Sequence, residues 1–487
     1  VKFTSLTDEA YIALTGLTDY ASDMINPTLR LGVTGLSRAG KTVFITSLVH
    51  NLVNGGKLPM FAPLANKRIK KAFLQPQPDD DVPRFSYEQH LEALLGKDGR
   101  HWPSSTNRIS QLRLTIEYEP EGFLARNLSS GVFNIDIVDY PGEWLLDLPL
   151  LDLTYQEWSQ QALLATQKAP RDVIAKPWLD YLSTLDADAD EDEQAVQEAA
   201  KLFTQYLTDC REDEYALSTV PPGRFIMPGD LAGSPLITFS PLDVSGSARR
   251  GSLHAMMERR YNSYVSRVVK PFFINHFSRL DRQIVLVDAL AALNAGPEAV
   301  SDLKNALGDI LKCFRPGNTT FINAILGKKI DRILFAATKA DHLHHTSHDR
   351  LENILRYLVK DAMDRSDASG AMFDVVALSA IRATREKVIE HDGEELPAII
   401  GIPESGQKLG DDVYDGQEEI ALFPGDLPEN PNAVFAEEAL SQESQENGFM
   451  KFRPPLAKKL DRGAGPESFP HIRLDKAMNF LFGDRLA

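Results

Sequence analysis

An apolar run, Leu29-Arg30-Leu31-Gly32-Val33-Thr34, leads directly into Gly35-Leu36-Ser37-Arg38-Ala39-Gly40-Lys41-Thr42, and an apolar helical stretch follows to about Val53. Nothing else in the 487 residues constrains the fold as strongly. The glycines let the backbone curl so that successive N–H groups, over Ser37, Arg38, Ala39, Gly40, Lys41, Thr42 and Val43, converge on a phosphate. Lys41 would set its ammonium against a β- and a γ-phosphate, and the Thr42 hydroxyl would ligate Mg²⁺. The helix opening near Lys41 adds its positive N-terminal end. A strand, a glycine loop and a helix in this order belong to an α/β sheet.

The remaining short apolar runs fit that sheet. Ile109–Tyr118, Val132–Val138, Ile284–Val287, Ile333–Ala337 and Val375–Leu378 alternate with helical segments such as Pro297–Phe314 and Arg350–Met363. Runs of this length bounded by turns read as buried strands. No helix separates 109–118 from 132–138, so these two should pair antiparallel, because a parallel pair needs a crossover. The expected core is a mostly parallel sheet with one antiparallel strand, plus a large helical insertion. The expected blocks are an N-terminal helix (1–27), a first half of the core (28–142, with an insertion at 57–103), a helical insertion (143–280), a second half (281–385), an irregular or β insertion (386–470) and a C-terminal helix (471–487).

Three more elements carry chemistry. In Ile135-Asp136-Ile137-Val138-Asp139-Tyr140-Pro141-Gly142, Asp139 ends an apolar strand where a carboxylate can hold Mg²⁺, and the D-x-x-G spacing makes Gly142 a γ-phosphate sensor through its N–H. Thr338-Lys339-Ala340-Asp341 follows another strand and resembles a guanine-reading signature. There the Asp accepts from the ring N1–H and the exocyclic amine, and the Lys stem packs over the base. Ser379-Ala380 ends the last run, where a backbone N–H would meet guanine O6.

Composition excludes some roles. Lys and Arg number 52 against 69 Asp and Glu, so the net charge of −17 argues against a general nucleic-acid binder. Two cysteines, Cys210 and Cys313, fit a reducing, cytosolic setting, and no run of about 18 apolar residues spans a bilayer. The acids of Asp186–Glu193 read as a solvated loop, the arginines at 249, 250, 259 and 260 as a salt-bridged helix, and His342, His344, His345 and His348 as a polar helix start.

The four motifs together resemble those of Ras-like or Gα-like GTPases. The longer stretches Leu31–Phe44 and Val138–Leu145 resemble the bacterial YcjX-like P-loop NTPase family, over most of the chain. The motifs point to GTP/GDP and Mg²⁺ as ligands, with slow hydrolysis expected from Glu143 and from the lack of an arginine just before the switch threonine; the family resemblance implies a cytoplasmic nucleotide-binding protein, expected at the periphery of the inner membrane. It also implies a role in envelope stress and a protein partner of the YcjF membrane-protein type. Lys41, Gly142 and Glu143 are the catalytic candidates. Glu143 stands where fast GTPases often place Gln. Thr106 is the candidate switch threonine completing the Mg²⁺ ligands Thr42 and Asp139, and Arg38, Arg100 and Arg108 are candidate transition-state arginines. An ATPase, or a GTP-bound scaffold with negligible turnover, are the alternative readings.

Overall fold

The computed structural model describes residues 27–36, 38–96, 100–104, 108–122, 130–313, 330–364, 370–391, 394–409, 412–436, 449–455 and 468–487. The expected N-terminal helix, Ser37 and Thr106 lie outside the described residues. The described residues divide into two compact units, one of 141–279 and 298–313, the other of 27–140, 280–297 and 330–487.

The second unit holds a seven-stranded sheet in the order β2-β3-β4-β1-β5-β6-β7. Its strands are β1 (Thr28–Gly35), β2 (Ile69–Gln75), β3 (Ser110–Tyr118), β4 (Val132–Asp139), β5 (Arg282–Val287), β6 (Arg332–Ala337) and β7 (Met372–Ala377). From β4 through β7 all neighbours are parallel, while β3 is antiparallel to both β4 and β2. It follows that β3 alone runs against the rest, the arrangement that its helix-free connection to β4 requires. β2 was hidden from pattern reading inside the 57–103 insertion. It pairs along the sheet edge with Lys70 and Lys71 exposed and a register shift beside them, and charge and irregularity of this kind protect an edge from further pairing.

The apolar positions Phe44, Ile45, Leu48, Val49 and Leu52 of the helix Lys41–Val53 recur at helical spacing and are all buried in the core on one side of the sheet. The helix Leu474–Phe482 joins the same core through Leu474, Ala477, Met478, Leu481 and Phe482. Arg282, buried at the start of the interior strand β5, fixes this last helix: it donates to the Leu481 carbonyl (2.7 Å) and pairs with Asp484 and Asp331. Asp136 is likewise structural, held by both of its oxygens to Arg113 (2.6 and 2.7 Å) directly across the β3–β4 ladder. A three-stranded antiparallel sheet, β8 (Arg385–His391), β9 (Glu394–Gly401) and β12 (Ile420–Leu422), occupies the region after 385, beside the two-residue pair β10 (Lys408–Leu409) and β11 (Asp412–Val413).

The other unit is built on helices and an aromatic core. Trp158 stacks on Tyr261 at 5.2 Å and Trp178 on Tyr206 at 5.4 Å, with Phe203, Phe225 and Phe239 packed edge-on among them. The helix Pro297–Cys313 clusters here rather than with the sheet. Its Asp302 pairs with Arg171 (2.9 Å) and accepts from the N–H groups of Ser218 and Thr219. The acidic run and the basic stretch satisfy one another, with Asp190, Glu191 and Glu193 paired to Arg249, Arg259 and Arg260.

Candidate functional site

All the motifs of the sheet unit emerge at one edge. Gly35 ends β1, Asp139 ends β4, Thr338 follows β6 and Ser379 follows β7, each at the carboxyl end of a parallel strand. In open α/β sheets this edge is where ligands bind.

The loop between β1 and its helix is shaped by two glycines with different jobs. A Cβ on Gly35 would stand 2.9 Å from Leu286 Cβ and 3.1 Å from Ala39 Cβ, so only glycine lets the loop leave β1 against β5. Gly40 has open space around it but φ +81°, a left-handed conformation that sterics reserve largely for glycine. Arg38 is also left-handed, at φ 56°. Gly40 is the N-cap of the helix with no side-chain cap, so the first helical N–H groups are left to a ligand. Lys41 Nζ curls back towards the Gly35 carbonyl at 3.4 Å. Thr42 and Asp139 are both buried, and Asp139 sits in register with Val33 of β1, the strand that carries the loop. A hydroxyl and a carboxylate are hard oxygen donors, the set that suits Mg²⁺. On that chemistry the residues present fit the ion.

At the far end, Ala340 N–H donates to the Leu378 carbonyl (3.2 Å), drawing the T-K-A-D turn against the S-A turn. Ser47 of the phosphate-loop helix donates to the Ala380 carbonyl (2.6 Å), so the three motifs are joined by direct hydrogen bonds. Asp341 is buried: its Oδ2 accepts from the Ala383 N–H (2.8 Å) and its carbonyl from the Thr384 hydroxyl. Lys339 is left-handed at φ 60° and pairs with Asp288 at the end of β5. Ser379 is fixed by two backbone bonds to Ile472 (3.0 and 2.8 Å) and by its own hydroxyl to the Ile381 carbonyl (2.9 Å).

A single cavity is lined by Arg38, Ala39, Gly40, Lys41, Thr42 and Val43 at one end and by Thr338, Lys339, Asp341, Ser379 and Ala380 at the other. Its third wall was not anticipated: Trp102, Pro103, His342, Glu404, Lys451 and Phe452. The Trp102 indole donates to the Phe452 carbonyl (2.7 Å), the Glu404 N–H to the Lys451 carbonyl (2.8 Å), and the His342 ring meets Phe452 edge-on at 5.7 Å. Burial pushes the Glu404 carboxyl up, opposed by Lys451 and Lys339, and burial holds the His342 imidazole below its usual value. Arg100, a candidate transition-state arginine, donates to the Pro454 carbonyl (3.1 Å).

Gly142 and Glu143 open the other unit, on the 3₁₀ stretch Gly142–Asp152. Glu143 is buried there and pairs with Arg211 at 2.8 Å. Gly223 packs so closely that a Cβ would stand 2.2 Å from the Glu143 carbonyl oxygen. Trp144 lies under the Arg224 guanidinium at 3.2 Å, and Asp147 accepts from Gly223 N–H and Tyr264 O–H, both at 2.6 Å.

With this geometry in place, comparison with known proteins gives a consistent result. The model of the YcjX-like family, DUF463, matches residues 29–486. The chain belongs to the YcjX-like family. The protein named "Ras-like GTPase YcjX" of Escherichia coli is 36% identical over 471 residues, covering 94% of this chain and 96% of that one. Its namesake in Shewanella oneidensis is 34% identical over 506 residues, covering 98% and 99%. Among the described residues no helix is long and apolar enough to cross a membrane.

Proposed function

We propose that this YcjX-like chain is a Mg²⁺-dependent GTPase that converts GTP to GDP slowly and uses the nucleotide state as a conformational switch. The observation that carries the reading is the single cavity joining the phosphate loop to a buried Asp341 and the Ser379-Ala380 turn. The names of the two relatives support a GTPase rather than an ATPase. In this reading Lys41 and the loop N–H groups hold the β- and γ-phosphates, and Asp341 selects guanine. Thr42 and Asp139 hold Mg²⁺, which when bound neutralises developing phosphate charge.

The D-x-x-G element is also one of the places where the chain passes from one unit to the other: Asp139 is the last residue of β4, and Gly142 begins the stretch that belongs to the helical unit. In this reading the D-x-x-G spacing assigns Gly142 N–H the role of γ-phosphate sensor. The pairing of Glu143 with Arg211 favours slow turnover, since a carboxylate engaged in an ion pair is a poor orienter of the attacking water. The proposal extends to a role in envelope stress with a membrane-protein partner of the YcjF type, a reading that the family resemblance supports.

The test is Asp341→Asn. GDP affinity should fall by roughly 100-fold or more, since charge-assisted hydrogen bonds contribute about 1.5–3 kcal/mol each. Xanthine nucleotide, whose 2-oxo group accepts from the new amide, should gain. Unchanged GDP binding in the variant contradicts guanine selection by Asp341. Single-turnover GTP hydrolysis no faster than the protein-free control leaves the scaffold reading in its place.

A further inference from the structure

The histidines after Asp341 read as a polar helix start, but the fold gives two of them a carboxylate from elsewhere. His344 and His345 precede the helix His348–Asp364, and Glu386 is the second residue of β8. Glu386 Oε2 lies 2.7 Å from His345 Nδ1 and 4.0 Å from His344 Nε2. The three donor atoms fall within 4.8 Å of one another. Bonds of about 2.0–2.2 Å in a tetrahedral zinc site place donor atoms roughly 3.3 Å apart. The separations seen here bracket that spacing, so small side-chain shifts suffice to close the set around an ion.

The surroundings orient each donor. His344 Nδ1 meets Thr346 Oγ1 at 3.0 Å, which turns Nε2 towards Glu386; a second partner of this kind fixes ring and tautomer in metal sites. Glu386 uses Oε1 for Arg382 (2.9 Å), leaving Oε2 for the histidines. The His345 side chain is 64% exposed, which supplies an entry path and room for water on the remaining coordination positions.

We propose that His344, His345 and Glu386 form a three-ligand site for a divalent transition ion of the zinc class. The ion joins the turn after Asp341 to the three-stranded sheet. Imidazole donors select such ions over Mg²⁺, which takes oxygen ligands. The site is therefore chemically separate from Thr42 and Asp139, and it does not depend on the nucleotide reading.

The test uses the full chain without an affinity tag, stripped with chelator and titrated with Zn²⁺ in excess Mg²⁺ and no nucleotide. The wild type should take up one equivalent, and His345→Ala and Glu386→Gln should each bind at least tenfold more weakly. Because His345 is exposed, its replacement leaves the fold intact. Co²⁺ should give visible absorption bands of low coordination number that vanish in His345→Ala. No uptake by the wild type overturns the proposal. So does equal uptake in both variants, or weakening in only one of them, since three ligands are claimed.

Discussion

Asp147 offers a quantitative test of how the segment after the D-x-x-G motif is held. Burial raises its carboxyl from the ordinary 3.8 to about 6, against the lowering effect of the hydrogen bonds from Tyr264 and Gly223. The folded chain thus binds this proton more tightly than the unfolded chain. Stability from this group is present below the unfolded value and is lost as pH rises towards and through about 6. The difference of about 2 pKa units corresponds to about 3 kcal/mol in full, of which roughly 1.4 kcal/mol falls between pH 5 and 7.5. Three of the four tryptophans, Trp144, Trp158 and Trp178, belong to the helical unit, so intrinsic fluorescence during urea unfolding reports it directly. Asp147→Asn removes the titration while its amide oxygen can still accept from Gly223. Relative to this variant, the wild type should lose about 1.4 kcal/mol between pH 5 and 7.5. Identical pH slopes in the two proteins, or a wild type that gains relative stability as pH rises, would refute the reasoning.

Other consequences are simpler. Gly40→Ala forces a left-handed alanine, at a cost of about 1–2 kcal/mol, so GDP affinity should drop by roughly tenfold in isothermal titration although the added methyl group meets no neighbouring residue. Arg282→Met should lower stability by roughly 1–3 kcal/mol, less than for a fully buried pair because Asp331 and Asp484 reach solvent. Hydrogen exchange should show the lost protection concentrated in the helix Leu474–Phe482, and an even loss across the sheet would argue against the anchoring role. Trp102→Ala removes both a cavity wall and the bond to Phe452, and should weaken nucleotide binding by roughly tenfold. Affinity equal to wild type would remove Trp102 from the site.

Local features were legible in the sequence. The phosphate loop, the antiparallel β3–β4 pair and the positions of Thr338–Asp341 and Ser379 at strand ends all follow from runs a few residues long and the absence of a helix between 118 and 132. Long-range partners were not. Glu404 and Lys451 reach the cavity only because Glu404 N–H finds the Lys451 carbonyl 47 residues away, with no pattern in either stretch to announce it. β2 carries Lys70 and Lys71 on an exposed edge, which blurs the alternation that marks a strand. The helix Pro297–Cys313 has ordinary amphipathic spacing, and its place is decided by Asp302 meeting Arg171, Ser218 and Thr219. The acidic and basic stretches looked like two unrelated surface features until the fold brought Glu193 to Arg260.

The central claim is that one cavity combines a phosphate cradle with a guanine-selecting carboxylate. Parallel titrations of the wild-type chain with GDP and ADP in Mg²⁺ test it most directly. GDP should bind at least 100-fold more tightly, because adenine presents no pair of donors to Asp341. ADP binding as tight as GDP binding would contradict the account, whatever the phosphate loop does.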